Sequence, residues 1–255
     1  MKNIKKISAV ASLAFALNQA QAQSVISVDL LNASGQAISG SYGISSLGTV
    51  VGGWNNPIKL YSAANLLYSD ASSSTVGFTL VDGSGSYSTF NAAYAGTPLA
   101  GGPAVYPASA GTITLNNLNA NFANGYWIIA YVGGYNANTG DSISDGTDTY
   151  FYRPDPAPAN PYGTFVQTTQ TTDLGPGANP IAQYAVFGSS SSPLTSDSLI
   201  LTLATSSGAA GGGAIGGFQI IGAPAPAPEP STMALATMSG VGLLVLARRK
   251  PWNRG

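Results

Sequence analysis

The sequence predicts an all-β protein, a β-sandwich or jelly roll of about nine strands, flanked by an N-terminal signal peptide and a C-terminal transmembrane helix. Three observations favour this fold class. Apolar and polar residues alternate in short runs, helical periodicity is nearly absent, and each run is bounded by Gly, Pro, Asn, Asp or Ser. Many short strands between turn-rich loops are typical of packed antiparallel sheets rather than of a parallel α/β sheet.

The β-rich runs all lie within residues 23–222, which we predict to form one extracellular domain. In SVISVDL, for example, Ile26, Val28 and Leu30 share one face. Residues 125–132 are almost wholly apolar and aromatic, which predicts a central strand buried on both faces. KLYSAANLLYS predicts a short helix. The runs are SVISVDL, TVGFTLV, TITL, YWIIAYV, TYFY, TFVQTT, QYAVF, SLILTLA and GFQII.

Charged residues are scarce and segregated along the chain. Asp, Glu, Lys and Arg make up 7% of the residues, against about a quarter in ordinary soluble domains. Within 23–222, Lys59 and Arg153 stand against nine aspartates, a net charge of −7. Such a body lacks the basic surface that phosphate backbones require. We therefore expect no nucleic-acid partner.

The chain contains no Cys and no His, and its single Glu, Glu229, lies close to the C-terminus. Disulfides, zinc–thiolate sites and Ser-His-Asp triads are excluded by composition. The scattered aspartates of the body offer no distinguishing acid–base pair. The sequence therefore predicts a protein that is not an enzyme, with an Asp-dependent polysaccharide-degrading enzyme as the alternative.

Residues 1–22 have the three parts of a secretory signal peptide. The basic start MKNIKK precedes an apolar stretch at 7–17, and Ala20 and Ala22 form a small-x-small cleavage site. We expect signal peptidase and the general export machinery to act on this segment, so that the mature body is exported.

The end of the chain combines a linker, an uncharged segment and a basic tail. The Pro/Ala linker at 223–230 favours extended polyproline II geometry, a semi-rigid spacer. Residues 231–247 carry no charge, and as a helix they would span about 25 Å, slightly less than a hydrocarbon core of about 30 Å. The basic residues of 248–255 favour a cytoplasmic end. We expect a weak transmembrane helix with the body outside and the tail inside.

This tail resembles the PEP-CTERM sorting signal of Gram-negative bacteria. In that family the signal directs an exported protein to an exosortase, a membrane enzyme that processes the chain near the Pro-Glu-Pro motif. The resemblance implies exosortase as a partner, a transient stay in the inner membrane, and a final location at the cell surface or outside the cell. The matching residues are Pro228, Glu229, Pro230, Arg248 and Arg249, around the apolar span 233–247.

The body is similar to a domain common in PEP-CTERM proteins of exopolysaccharide-producing bacteria. The similar features are WNN at 54–56, a strand with a Gly-rich exit at 126–134, and YAVF, SLILTLA and GFQII before the tail. The family resembles a galactose-binding-like jelly roll. This implies a matrix protein associated with exopolysaccharide, with a carbohydrate-binding module as the alternative. The chain departs from the pattern in its longer, Pro-rich loops.

Aromatic side chains are candidate contacts for sugar rings, because they offer flat apolar faces with polar rims. If the body binds sugar, exposed aromatic residues in loops around Trp54, Tyr131 and Tyr135 should carry that binding. The alternative interpretation, which we favour, is that the tyrosines fill strands and cover sandwich edges and that Trp54 is a core or loop anchor.

An acidic stretch, NTGDSISDGTDTY, brings Asp141, Asp145 and Asp148 within eight residues. Carboxylates on a Gly-containing loop are ligands that Ca²⁺ uses, which makes calcium the one candidate cofactor. The spacing fails the EF-hand pattern, since Ile143 occupies the third position and no Glu occupies the twelfth. Asp-Gly is equally a turn signal, so the alternative to a calcium site is a solvated hairpin loop, and we expect the hairpin and no cofactor.

Overall fold

The computed structural model describes residues 23–30, 37–57, 61–81, 87–89, 101–103, 110–134, 140–154, 165–205 and 213–225. The chain divides into two compact units, Met1–Pro224 and Ala225–Gly255. Within the described ranges the chain is mostly β, and its helical elements are a 3-10 turn, Ser45–Leu47, and the short helix α1, Leu118–Asn121. The strands are β1 (Val25–Asp29), β2 (Ser62–Ala63), β3 (Gly77–Val81), β4 (Tyr87–Thr89), β5 (Gly101–Pro103), β6 (Gly111–Asn116), β7 (Tyr126–Gly134), β8 (Asp141–Ser144), β9 (Thr149–Tyr152), β10 (Tyr184–Phe187), β11 (Leu199–Thr205) and β12 (Gly213–Gly222).

Ten of these strands form two sheets in which every pairing is antiparallel. The four-stranded sheet has the order β1-β12-β7-β10, and the six-stranded sheet has the order β2-β3-β6-β11-β8-β9. β4 and β5 pair with each other as a separate ribbon. The prediction of an all-β protein is confirmed, and the described chain has twelve strands where the runs indicated about nine.

Two local predictions were wrong, and long-range pairing explains both. Within KLYSAANLLYS, the described residues 61–69 contain β2 and isolated bridges instead of a helix, because their backbone groups bond outside the segment: Leu66 donates to Val76 at 2.9 Å, and Tyr61 accepts from Leu80 at 2.6 Å. Asn65 also has a φ of 55°, outside the helical region. In TFVQTT, the described residues 165–169 contain a bridge, from Gln167 to Tyr184 at the edge of β10, and no strand.

The main core lies between the two sheets. Alternating side chains of each sheet point inward, so that Phe78 of β3 meets Phe218 of β12 edge-on at a centroid distance of 5.9 Å. Tyr150 of β9 meets Phe187 of β10 in a tilted contact, with a centroid distance of 5.3 Å. The fully buried members of this core include Ile26, Val28, Leu30, Ile113, Leu115, Ile128, Ile143, Leu201 and Ile220.

The four-stranded sheet is buried on both faces, because a second layer covers its outer side. We call residues 37–57 the covering segment. It contributes Ile38, Ile44 and Trp54 to a second core, and Phe165 also packs against that core. β12 has ten residues and all of them are buried. This arrangement confirms that β7, the strand at 125–132, is buried on both faces.

Loop backbone covers most of the sheet edges. Asn55 exchanges backbone hydrogen bonds with β1, accepting from Asp29 at 2.9 Å and donating to Ser27 at 2.9 Å. Val166 and Thr168 bond to the edge of β10, and Gln170 accepts from Phe151 on the edge of β9 at 2.8 Å. The remaining edge strand, β2, has only two residues. At the bonded positions the edge groups, the usual template for strand addition, already have partners within the chain.

Candidate functional site

The outer face of the six-stranded sheet is open to solvent across its described strands, and we call it the open face. Its side chains are those that alternate with the main-core residues, and each is partly or fully exposed. Val81 is 60% exposed and Ile200 is 49% exposed. The open face consists of Ser62, Thr79, Val81, Thr112, Thr114, Asn116, Ser142, Ser144, Thr149, Phe151, Ile200, Thr202 and Ala204.

Strand register arranges these side chains in rows that run across the strands. Residues directly opposite on antiparallel neighbours lie on the same face, about 5 Å apart. One row is Ser62, Thr79, Thr114 and Ile200. The longest row is Val81, Thr112, Thr202, Ser144 and Thr149, and it crosses five strands.

The chemistry of the open face is that of hydroxyl groups with some apolar surface, and none of its members is charged. The hydroxyls of Thr112, Thr114 and Thr202 make no hydrogen bond within the described chain. At the β9 margin, by contrast, Thr149 donates to Oγ of Ser144 at 2.9 Å. A hydroxyl can donate one hydrogen bond and accept two. The face therefore offers both functions in regular array, together with the methyl groups of threonine.

Two of the aromatic residues proposed as sugar contacts are buried. Tyr131 is fully buried and Trp54 is 7% exposed, so neither ring offers a face to a sugar. The prediction that these two are exposed was wrong, because the covering segment places Trp54 on the outer face of the four-stranded sheet. Tyr131 lies in β7 beneath it, with ring centroids 6.1 Å apart. Tyr135 lies outside the described residues.

Four aromatic rings instead form a closed cluster in the second core. Each of Tyr42, Trp54, Tyr131 and Phe165 contacts the next, with centroids between 5.6 and 6.1 Å apart. Trp54 also donates from Nε1 to the backbone oxygen of Val51 at 3.1 Å. Edge-on contacts of this kind stabilise buried aromatic groups. Trp54 is therefore an anchor of the covering segment, as the alternative interpretation had it.

A polar network lies beside this cluster and is equally buried. The amide of Gln219 on β12 accepts from the hydroxyl of Tyr131 at 2.7 Å and donates to Oγ of Ser27 at 3.0 Å. It also donates to the backbone oxygen of Thr49, in the covering segment, at 2.9 Å. Burial raises the pKa of Tyr131 well above its usual value, so this hydroxyl remains a donor throughout the ordinary pH range.

Asp29, at the end of β1, is a buried carboxyl group. It is fully inaccessible to solvent, and neither of its carboxyl oxygens has a hydrogen-bond partner among the residues that the structure describes. Burial raises the pKa of Asp29 to about 8, an effect that the nearby backbone N–H of Ile38 partly offsets. That N–H donates to Oδ1 of Asn56 at 2.9 Å. The neutral acid is thus the favoured form of Asp29 below this pH.

The three aspartates of the acidic stretch do not come together. β8 and β9 form a hairpin, and Asp145 closes its turn by accepting from the N–H groups of Thr147 at 2.9 Å and Asp148 at 2.7 Å. Asp141 lies at the far end of β8, buried against Gly213. Among the residues that the structure describes, no three metal-ligating side chains form a group that could hold an ion. The geometry is that of the hairpin alternative.

The terminal predictions lie outside the described residues. They are the signal peptide at 1–22 with Ala20 and Ala22, the motif residues Pro228, Glu229 and Pro230, the span at 231–247, and Arg248 and Arg249. The described part of the chain contains no helix long and apolar enough to cross a membrane.

Comparison with known proteins adds no relative: no protein-family model, curated protein or solved structure matches the chain.

Sequence reasoning missed the open face, Asp29 and Gln219. A usable signal was present for the last two, because each is a polar residue at an alternating position of an otherwise apolar strand. The open face could have been read from the alternating hydroxyls of TVGFTLV, TITL and SLILTLA. The extent of the open face depends on the order of six strands in the sheet, and that order cannot be predicted from the sequence pattern.

Proposed function

We propose that this chain is an exported, non-enzymatic protein of the cell surface or extracellular matrix. It is sorted by a PEP-CTERM signal, held briefly in the inner membrane with the body outside, and then released by an exosortase. Its body, a β-sandwich of the galactose-binding-like type, associates with exopolysaccharide.

The order of features in the tail is the observation that carries this proposal. Pro228, Glu229 and Pro230 precede the uncharged span 231–247, and Arg248 and Arg249 follow it directly. A span of marginal length holds a protein weakly, and the basic cluster after it fixes its direction. Both properties suit an anchor that is removed. The signal-peptide pattern at 1–22 supports export independently.

Composition supports a role other than catalysis. The chain has no His and no Cys, and its one Glu stands in the sorting motif. The open face adds support for association with a polymer, since it is an extended hydroxyl-bearing surface without charge. Release of reducing ends from extracted exopolysaccharide would instead favour the degrading enzyme.

The test is the fate of the tail in producing cells. We expect the native protein to lose residues 233–255 and to leave the membrane fraction, whereas Glu229→Gln should accumulate at full length in that fraction. Asp148→Asn is the matched control, since it makes the same acid-to-amide change at an exposed position of the body. Intact mass spectrometry of each fraction measures the outcome. Native protein that still carries 233–255 at its final location would contradict the proposal.

A further inference from the structure

We propose that the open face of the six-stranded sheet binds a neutral polysaccharide chain, laid across the strands along its hydroxyl rows. The inference rests on the proposed function, because it names the class of polysaccharide and the surface that holds it.

Charge selects a neutral partner. The open face has no charged side chain, while residues 23–222 as a whole carry a net charge of −7. An anionic polysaccharide would find no cation to pair with on this face and would be repelled by the field of the body. A neutral polysaccharide needs no cation to pair with and is not repelled by the charge of the body. It also brings no charge that would have to be desolvated against the sheet.

Hydrogen-bonding capacity matches a polyhydroxylated partner. Thr112 and Thr202 are adjacent in the longest row, and Thr114 lies two residues from Thr112 on the same face. Strand spacing places the backbones of Thr112 and Thr202 about 4.8 Å apart across the row. Sugar hydroxyls are both donors and acceptors, as threonine hydroxyls are. Threonine methyls, with Val81 and Ile200, supply apolar contact for the C–H groups of the sugar.

The dimensions of the face favour a linear polymer over a second copy of the chain. Six strands spaced about 4.8 Å apart, each about five residues long, give roughly 24 by 17 Å, or about 400 Å². A stable protein interface buries about 800 Å² on each partner, with an apolar centre. The open face has half that area and hydroxyls at its centre. Strand addition is also disfavoured, since loop backbone already bonds to the edges of β1, β9 and β10.

The test is affinity electrophoresis of the full chain in gels that contain polysaccharide extracted from the producing cells. The extract is separated by anion exchange into a neutral and an acidic fraction. The variant is Thr112→Val, Thr114→Val and Thr202→Val together, which removes three hydroxyls and keeps the β-branched shape. The matched control is Thr169→Val, Thr171→Val and Thr172→Val, three exposed threonines that lie in no strand and are not members of the open face.

We expect the native protein and the control to be retarded equally by the neutral fraction and not by the acidic one. The open-face variant should bind about tenfold or more weakly, since it lacks three hydroxyl partners. Unchanged melting temperatures show that it is folded. Should it be unfolded, Thr202→Lys replaces it and gives the same expected loss.

Three results would overturn the proposal. One is a folded open-face variant that binds the neutral fraction like the native protein, which leaves association with exopolysaccharide intact but moves it to another surface. The second is native protein that is retarded only by the acidic fraction or by neither. The third is a dimer in sedimentation that Thr202→Lys dissociates. None of these affects the tail assay, so failure of the sorting proposal is seen separately.

Discussion

The hydroxyl of Tyr131 donates to Oε1 of Gln219 at 2.7 Å, and both side chains are fully buried. Because the amide nitrogen of Gln219 also bonds to the backbone of Thr49, this pair connects β7 and β12 to the covering segment. A buried polar group of this kind is favourable only while every partner is present.

Replacing Gln219 with Leu should lower the free energy of unfolding by about 2–4 kcal/mol, because the hydroxyl of Tyr131 and the carbonyl of Thr49 lose their buried partners. Urea denaturation followed by tryptophan fluorescence measures the loss. Gln167→Leu is the control, since Gln167 is exposed and its side chain makes no hydrogen bond within the described chain. Equal midpoints for the two variants would show that the network contributes nothing.

Asp29 should make stability fall as the pH rises. Its pKa in the folded state is about 8, above the ordinary aspartate value of 3.8, so between these pH values the folded protein holds a proton that the unfolded chain has lost. Stability is therefore full below about pH 4, declines as the pH rises, and levels off above about pH 8. The slope is at most about 1.4 kcal/mol per pH unit.

Asp29→Asn should remove this decline. We expect it to match the native protein at pH 4 and to exceed its stability by several kcal/mol at pH 9, measured by denaturation at each pH. Asp70→Asn is the control: hydrogen bonds from Ser72 lower the pKa of this exposed carboxyl, so its removal should not flatten the decline. A native protein with the same stability at both pH values would refute the assignment.

Two glycines with the same backbone conformation should respond differently to alanine. Gly53 and Gly48 have φ of 67° and 69°. A Cβ at Gly53 would lie 2.5 Å from the backbone oxygen of Ser69, whereas a Cβ at Gly48 meets nothing within 4 Å. Gly48→Ala should cost only the left-handed conformation, about 1–2 kcal/mol. Gly53→Ala should cost at least about 2 kcal/mol more, and thermal melting of both variants tests the difference.

The β8–β9 turn should depend on Asp145 as a hydrogen-bond acceptor rather than as a metal ligand. Asp145→Ala leaves the N–H groups of Thr147 and Asp148 without their acceptor, which should cost about 1 kcal/mol. We expect the same loss in EDTA and in millimolar calcium. A loss that appears only with calcium would restore the metal interpretation.

Period-two alternation was sufficient to place the main strands and their inward faces. In TVGFTLV the register puts Phe78 and Leu80 in the core and Thr79 outside, because successive side chains of a strand point to opposite faces. The burial of Tyr131 followed from the same argument, which predicted a strand buried on both faces. The proposal of an exposed ring at that position conflicted with it.

The covering segment could not be predicted in this way. Residues 37–57 have neither strand nor helix periodicity, and they bury Trp54 and Thr49 by contacts with residues far away in sequence. Thr49 and Gln219 are 170 positions apart in the sequence. Only the folded structure shows that the covering segment provides a second layer on the outer side of the four-stranded sheet. The six-stranded sheet is therefore the one whose outer face is open to solvent.

Bonded loop backbone along the sheet edges has a consequence for a crowded protein. Many β proteins keep neighbouring copies apart with lysines on their edge strands, and this chain has only nine Lys and Arg in 255 residues. Repulsion between charges weakens as salt is added, but a hydrogen bond already made within the chain is not available to a neighbour at any salt concentration. The bonded positions of β1, β9 and β10 are therefore closed to strand addition by a neighbouring copy, in brine as in dilute buffer.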